Sequence, residues 1–287
     1  MQLLPLPRLE PPEARKAVDC IGLGDVRGLA KELDANPELV RTPIRPRKQG
    51  WEYVDKCTLL HLVAHNPPRL DRFPEGMVDV ARLLLERGAD VHAHDEAWGQ
   101  PLGMVATCFV AAASPQGTQL IDLFIEHGAK VDYDNNAALR GCLSYLYEGP
   151  KGMRRTAKHL RKRGAPVDLC FAAALGEVKT MRSFFLPDGK LDRTRAVRFM
   201  EKEYRCDKSF LEAALVYASI GGSLNAVKYL VEELGLNPKC KRDFTGDDMT
   251  PMVGTRCGTS ADKRQLAPTV AGERRHFFLR LRGGAGW

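Results

Sequence analysis

The sequence predicts an all-α solenoid, a stack of helix-turn-helix repeats, and three observations support this prediction. An apolar helical segment that ends in Arg-Gly-Ala or His-Gly-Ala recurs along the chain. A shorter apolar segment precedes each copy. The glycines that end the clearest copies, Gly88, Gly128 and Gly164, follow one another at 40 and 36 residues, a period that is typical of repeat architectures.

The longer helix of each repeat carries an apolar stripe and a stop signal. Leu84, Ile125 and Leu160 fall on that stripe in three copies, and we expect all three to be buried between stacked repeats. The glycine after the last turn can adopt the left-handed conformation that terminates a helix. A fourth, degenerate copy spans 228–238.

The shorter helix is clearest at 58–64, where Thr58 is placed to cap its start. Thr58-Leu-Leu-His61, Ala64 and the Gly-Ala-Asp-Val segment at 88–91 resemble the ankyrin repeat family, whose signature is Thr-Pro-Leu-His-x-Ala. The resemblance covers roughly residues 13–242. It implies six units of stacked ankyrin-type helix pairs, which start near residues 13, 53, 95, 132, 166 and 208.

The units are longer than the family's length of about 33 residues because they contain insertions. Three predicted insertions lie between paired helices, at 67–74, 111–117 and 148–152, and two lie between units, at 43–53 and 187–206. Extra loops at fixed places in a repeat map to one face of a solenoid.

We expect two regions, a repeat array over 1–249 and an irregular Gly/Arg-rich tail over 250–287. The tail has seven basic residues against two acidic ones, so it holds five of the chain's seven net positive charges. It lacks a sustained helical period. An irregular cap, a disordered tail and a shifted reading frame after about residue 252 all remain open for it.

Composition excludes several classes of protein. The chain has no run of 18 apolar residues, which argues against a membrane span, and its first residues lack the features of a secretory signal. Its eight cysteines form no Cys-x-x-Cys pair, so we expect reduced thiols, mostly in the core. These features predict a cytoplasmic protein, and we expect a monomer.

The motifs of common catalytic sites are absent, and we predict no catalytic, cofactor-binding or metal-binding residues. The segment from Gly22 to Gly28 resembles a dinucleotide-binding loop, but it lacks the preceding strand, so we interpret it as a turn between two helices. His61 and His65 lie one helical turn apart, a spacing that can hold zinc. His61 aligns with the family's structural histidine, which implies a buried, hydrogen-bonded role instead.

The family resemblance implies a non-catalytic protein-interaction module or scaffold, which binds another protein through a concave groove and adjoining loop tips. Trp51, Tyr53 and Trp98 lie beside those tips and are candidate hot spots, although each could instead pack on its own loop. The full set of predicted partner-binding residues is Trp51, Tyr53, Asp55, His65, Asn66, Glu96, Trp98, Thr107, Tyr133, Asp134, Asn136, Ser144 and Tyr145.

Basic segments support an alternative function, association with nucleic acid or another polyanion. These segments are 41–56, 151–163 and the tail. Basic residues interleaved with aromatic ones, as in 41–56, can bind single-stranded nucleic acid, and the same pattern is equally typical of a protein-binding loop with aromatic anchors. For 151–163 a solvated helix face is the simpler interpretation, because Met153, Ala157 and Leu160 fill the opposite face.

Overall fold

The computed structural model describes residues 7–47, 54–66, 69–70, 72–95, 99–146, 151–198, 206–240, 242–243 and 248–249. The fold is mostly helical, and the predicted all-α solenoid of paired helices is confirmed. Strands in the described residues are only two residues long. The predicted tail, 250–287, lies outside them.

Unit one consists of helices α1 (Ala14–Leu23) and α2 (Val26–Ala35), with strand β1 (Leu9–Glu10) before them and β2 (Arg45–Pro46) after them. The two strands pair in antiparallel register. Helix α1 ends at Gly24, whose φ of +71° is left-handed, and the Asp25 carboxylate accepts a hydrogen bond from the Gly28 N–H at 2.9 Å. The segment from Gly22 to Gly28 therefore contains the turn between two helices, as predicted, with Gly24 and Asp25 as the turn itself.

Units two and three show how the sequence signals place their helices. The helices are α3 (Leu59–Leu62), α4 (Met77–Glu86), α5 (Pro101–Thr107), α6 (Phe109–Ala113) and α7 (Pro115–Glu126). The predicted insertion at 111–117 overlaps two helices, since its first residues end the short helix α6 and its last residues begin α7. Ala111 and Ala112 are buried there, and alanine favours a helix.

The remaining units follow the same order. Their helices are α8 (Tyr133–Ser144), α9 (Lys151–Lys162), α10 (Leu169–Leu175), α11 (Val178–Arg182), α12 (Arg193–Ala196), α13 (Asp207–Ile220) and α14 (Leu224–Lys228). A π-helical turn over Tyr229–Glu233 continues α14, and strands β3 (Arg242–Asp243) and β4 (Asp248–Met249) pair after it. The insertion at 187–206 contains α12.

The predicted apolar stripe is confirmed for two of its three residues. Leu84 and Leu160 are fully buried. The prediction was wrong for Ile125, which is only partly buried. Helix α7 buries Ile121 and Phe124 instead, so Ile125 lies at the edge of the buried face. The glycines that end the long helices have left-handed φ values, +87° at Gly88, +97° at Gly128 and +101° at Gly164.

Glycines also allow neighbouring units to pack backbone against backbone. A Cβ atom on Gly76 would lie 2.3 Å from the Gly24 carbonyl oxygen of the preceding unit. A Cβ on Gly221 would lie 2.0 Å from the Ala174 oxygen in the same way. Any side chain at these positions would push adjacent units apart.

The described cysteines are all free thiols, and most of them are buried. This agrees with the expectation that the thiols lie mostly in the core; Cys206 is exposed at the start of α13. Cys20 is half-buried on α1.

Leu84→Ala should lower the free energy of unfolding by about 2–5 kcal/mol, because it removes buried methyl groups and leaves a cavity. Urea denaturation measures this change. The control Arg82→Ala alters an exposed residue of the same helix and should change stability by less than about 0.5 kcal/mol. Equal effects of the two substitutions would contradict the assigned helix faces.

Gly221→Ala should destabilise the protein by about 1–3 kcal/mol, although alanine usually favours helical backbone. Gly221 has φ −65° and ψ −12°, so the backbone itself accepts alanine and only the approach of the Ala174 carbonyl opposes it. Lys208→Ala, at an exposed position of α13, is the control in the same denaturation assay. A neutral or stabilising Gly221→Ala would refute the close packing.

Candidate partner-binding surface

His61 connects unit two to unit three through its buried imidazole. The Thr58 N–H donates to Nδ1 at 3.2 Å, and the Thr58 hydroxyl lies 3.0 Å from the same atom. On the other side of the ring, Nε2 lies 3.1 Å from the Gly99 carbonyl oxygen and 3.3 Å from the Asp95 carboxylate. The predicted structural role of His61 is therefore confirmed.

Cys57, His61 and Asp95 bring three potential metal ligands within 4.8 Å of one another. A backbone N–H can only donate, so the Thr58 bond leaves Nδ1 unprotonated and the neutral ring carries its proton on Nε2. That proton points toward Gly99 and Asp95 and occupies the position a metal would need. Burial also raises the pKa of the Cys57 thiol, which opposes the thiolate that a metal requires. The three groups fit a hydrogen-bonded cluster better than a metal site.

His65, a predicted partner-binding residue, is buried and anchors the insertion between α3 and α4. Its Nε2 accepts hydrogen bonds from the Arg69 N–H at 3.3 Å and from the Leu70 N–H at 3.2 Å. The ring also meets the Phe73 ring edge-on, with centroids 6.1 Å apart. Its backbone is left-handed, with φ +57°, which turns the chain into the insertion.

Two other predicted residues, Tyr133 and Asn136, are also buried and serve contacts between units. The Asn136 side-chain N–H donates to the Pro166 carbonyl of unit five at 2.8 Å. Tyr133 packs beside Gly99 of unit three, and burial raises its pKa to about 12. Asp134, between them, is exposed.

The ends of α5 and α8 bring the predicted residues Thr107, Ser144 and Tyr145 to one place. The Tyr145 ring meets Phe109 edge-on at 5.6 Å, and both residues are half-buried. We call Phe109 and Tyr145 the aromatic pair. Gly141 permits this approach, since a Cβ there would lie 2.6 Å from Thr107 Cγ2.

Sequence reasoning missed Phe109 because it follows the shorter helix by two residues and was assigned to no contact position. Its position between that helix and an alanine-rich segment was the available signal.

The other predicted residues divide into two groups. Asp55 and Asn66 of unit two are half-buried, and Asp55 lies 3.9 Å from the Arg45 guanidinium. Trp51, Tyr53, Glu96 and Trp98 lie outside the described residues.

The basic segment 151–163 has a largely exposed cationic face, as predicted, since Arg155, Lys158, Lys162 and Arg163 are exposed. Several of its arginines also contact neighbouring units. Arg155 donates to the Ala112 carbonyl of unit three, and Arg163 pairs with Asp122 at 3.1 Å. On the other side, Arg161 pairs with Glu177 of unit five at 3.1 Å.

Among the described arginines of this segment, Arg154 contacts the unit that lies furthest along the array. Its guanidinium donates to the Gly221 carbonyl and to the Ser223 hydroxyl of unit six, the latter at 3.1 Å. It passes close to Gly176, the left-handed turn of unit five. One arginine of α9 therefore links unit four to unit six.

Cationic side chains of segment 41–56 also contact other parts of the array. Arg41 donates to the Gly88 carbonyl at 2.9 Å, and Arg47 pairs with Glu10.

Residues 55–96 match the family model described as ankyrin repeat. This part of the chain is similar to an ankyrin repeat. Among solved structures the chain is similar to the human ASB11 ankyrin repeat domain, with 14% identity, a TM-score of 0.45, and coverage of 88% of this chain and 99% of that one. No curated protein matches the chain. None of the helices in the described part of the chain has the length and apolar character needed to cross a bilayer.

The stability of the protein should fall as the pH drops below about 6.5, the ordinary pKa of histidine. Burial lowers the pKa of His61 and His65, so the unfolded chain takes up protons before the folded one does. The stability is present above the unfolded pKa and is lost as the pH falls toward the folded pKa. One unit of pKa lowering is worth about 1.4 kcal/mol.

Urea unfolding at a series of pH values measures this slope. His65→Gln should flatten it, because the glutamine oxygen can accept the same backbone hydrogen bonds without titrating. Gln119→Ala, at an exposed position of α7 without a titrating side chain, is the control and should leave the slope unchanged. An unaltered slope in His65→Gln would contradict the assigned role.

Proposed function

We propose that the chain is a non-catalytic ankyrin repeat scaffold that binds another protein through the concave groove formed by its shorter helices and loop tips. Ankyrin repeats are generally protein-interaction modules, and the family match supports this general role. The proposal places the repeat array at 1–249 and the groove in its central units, and it takes the protein to be a cytoplasmic monomer.

The observation that carries the proposal is the aromatic pair, Phe109 and Tyr145, at the ends of adjacent shorter helices. Large aromatic side chains that are partly buried in a rigid setting are typical hot spots, because little conformational entropy is lost when a partner covers them. Thr107 and Ser144 beside them use their hydroxyls to donate to carbonyls of their own helices, at 2.8 and 2.9 Å. Thr107 and Ser144 therefore place uncharged side chains beside the aromatic pair.

Three of the predicted contact residues are buried, which leaves fewer residues that a partner protein could touch. His65, Tyr133 and Asn136 support contacts within the array, so we leave them out of the proposed contact surface. Asp55, Asn66, Thr107, Asp134, Ser144 and Tyr145 remain in it.

The alternative is association with nucleic acid or another polyanion, for which the exposed Lys158 and Lys162 of 151–163 remain candidates. Arg155, Arg161 and Arg163 of the same segment are already bonded to carbonyls or carboxylates of neighbouring units, which weakens this alternative. A salt titration separates the two functions, since nucleic-acid affinity falls steeply with salt.

The double variant Phe109→Ala, Tyr145→Ala should weaken binding of a partner by about 2 kcal/mol or more, which is hot-spot scale. The partner is first captured from the native host and identified by mass spectrometry, and its affinity is then measured by calorimetry. Phe185→Ala is the matched control, because Phe185 forms a similar edge-on pair with Tyr229 in a different part of the array.

Deletion of 250–287 should leave that affinity within a factor of a few. Affinity that depends on the deleted tail and not on the aromatic pair would instead favour the polyanion function.

A further inference from the structure

Thr42 lies at the surface, in the loop that leads from unit one to unit two. It follows a 3₁₀ turn over Pro37–Val40, and its hydroxyl donates to the Glu38 carbonyl at 2.7 Å in an exposed hydrogen bond. The residues on either side of it, Arg41 and Pro43, are exposed, and Thr42 itself is half-buried. The hydroxyl is therefore placed where an enzyme can reach it.

The sequence that begins at Thr42 matches the pattern that proline-directed kinases select. These kinases phosphorylate a serine or threonine that is followed by proline, and their cyclin-dependent members also select a basic residue three positions after it. The segment Thr42-Pro-Ile-Arg45 has both features. The other two Ser/Thr-Pro pairs of the chain, at Ser114 and Thr250, have glycine and valine in place of the basic residue. The complete pattern therefore occurs once in the sequence.

The backbone that follows Thr42 is extended, which is the conformation in which kinases bind their substrates. A residue before proline is itself biased toward an extended conformation. Ile44 pairs with Cys57 in an antiparallel bridge, and Arg45 begins strand β2. Ile44 is buried and Arg45 is exposed, as expected for alternate residues of a strand, so the basic residue of the pattern points outward.

Arg45 can leave its present partner at small cost. Its guanidinium lies 3.9 Å from the Asp55 carboxylate, and the two side chains are 50% and 40% exposed. Exposed ion pairs of this kind contribute little to stability. A carboxylate of a kinase can therefore replace Asp55 as the partner of Arg45.

Arg41 is placed to hold a phosphate on its neighbour Thr42. Its side chain is exposed, and its Nε donates to the Gly88 carbonyl of unit two at 2.9 Å. A phosphate accepts a stronger hydrogen bond from a guanidinium than a neutral carbonyl does, because both partners are charged.

We infer that Thr42 is a phosphorylation site for a proline-directed kinase of the cyclin-dependent type, and that Arg41 leaves the Gly88 carbonyl to bind the phosphate. The Thr42 oxygen attacks the γ-phosphorus of ATP, the bond to ADP breaks, and the hydroxyl proton passes to the catalytic carboxylate of the kinase. The modified oxygen has no proton, so its hydrogen bond to Glu38 is lost. The site involves neither residue of the aromatic pair and adds a means of regulation at the junction of units one and two.

Treatment of the full-length protein with a purified cyclin-dependent kinase, its cyclin and ATP tests the site. Mass spectrometry should find a phosphate on Thr42, which Thr42→Ala should lose and Thr42→Ser should retain. Arg45→Ala should slow the reaction about tenfold or more, because the kinase loses its basic contact. Arg47→Ala is the matched control, since it removes an exposed arginine two residues further along, and it should have little effect.

Three results would overturn the site. The folded protein could stay unmodified at Thr42 while the same kinase phosphorylates a synthetic Thr-Pro-x-Arg peptide. The phosphate could instead be found on Ser114 or Thr250. Arg45→Ala and Arg47→Ala could also slow the reaction equally, which would show that the basic residue is not selected. Circular dichroism verifies that each variant is folded.

Phosphorus NMR of the phosphorylated protein tests the contact with Arg41. A guanidinium stabilises the doubly charged phosphate, so the second pKa of the phosphate should fall below about 6, its usual value. Arg41→Ala should raise this pKa back toward the usual value, and Lys16→Ala, which removes an exposed cation of α1, should leave it unchanged. A pKa that is the same with and without the Arg41 side chain would refute the assigned role of Arg41.

Discussion

Close contact between the backbones of adjacent units is the constraint on which the rest of the array depends. No helix pair can bury both of its apolar faces alone, so each unit must press against the next. Gly76 and Gly221 allow this at two of the junctions, because a carbonyl of the preceding unit occupies the space of their missing side chains. Leu84 and Leu160 are fully buried in the stacked array.

Side chains that bond to carbonyls in other units keep this stacking in register. His61 reaches Gly99 in unit three, and Asn136 reaches Pro166 in unit five. Arg154 extends further, to Gly221 in unit six. Carbonyls that lie outside a regular hydrogen-bonded ladder need such partners when they are buried. Polar residues of the shorter and longer helices thus satisfy the backbone of their neighbours and orient the stack at the same time.

The sequence was most informative where a signal is local. Thr58 and the left-handed glycines predicted helix ends correctly, because capping and φ depend on a few adjacent residues. The sequence was least informative where the role of a side chain depends on residues that are far away along the chain. The charge of 151–163 suggested a solvated face, and nothing local reveals that Arg155 and Arg163 meet carbonyls and carboxylates about 40 residues away. His65 is a second example, because only the folded structure shows that its imidazole accepts hydrogen bonds from the backbone of the insertion that follows it.

Contacts inside the array also decide which residues are left for the proposed recognition surface. Residues that the stack uses, such as His65 and Tyr133, are rigid because they have internal partners, and they hold neighbouring residues in place. Asn66 follows His65 directly, and Tyr145 lies where Gly141 lets two helices touch. A surface fixed in this way loses little entropy on binding. In the proposed function, the interior hydrogen bonds of the array therefore act on recognition indirectly, because they hold the aromatic pair in place before a partner arrives.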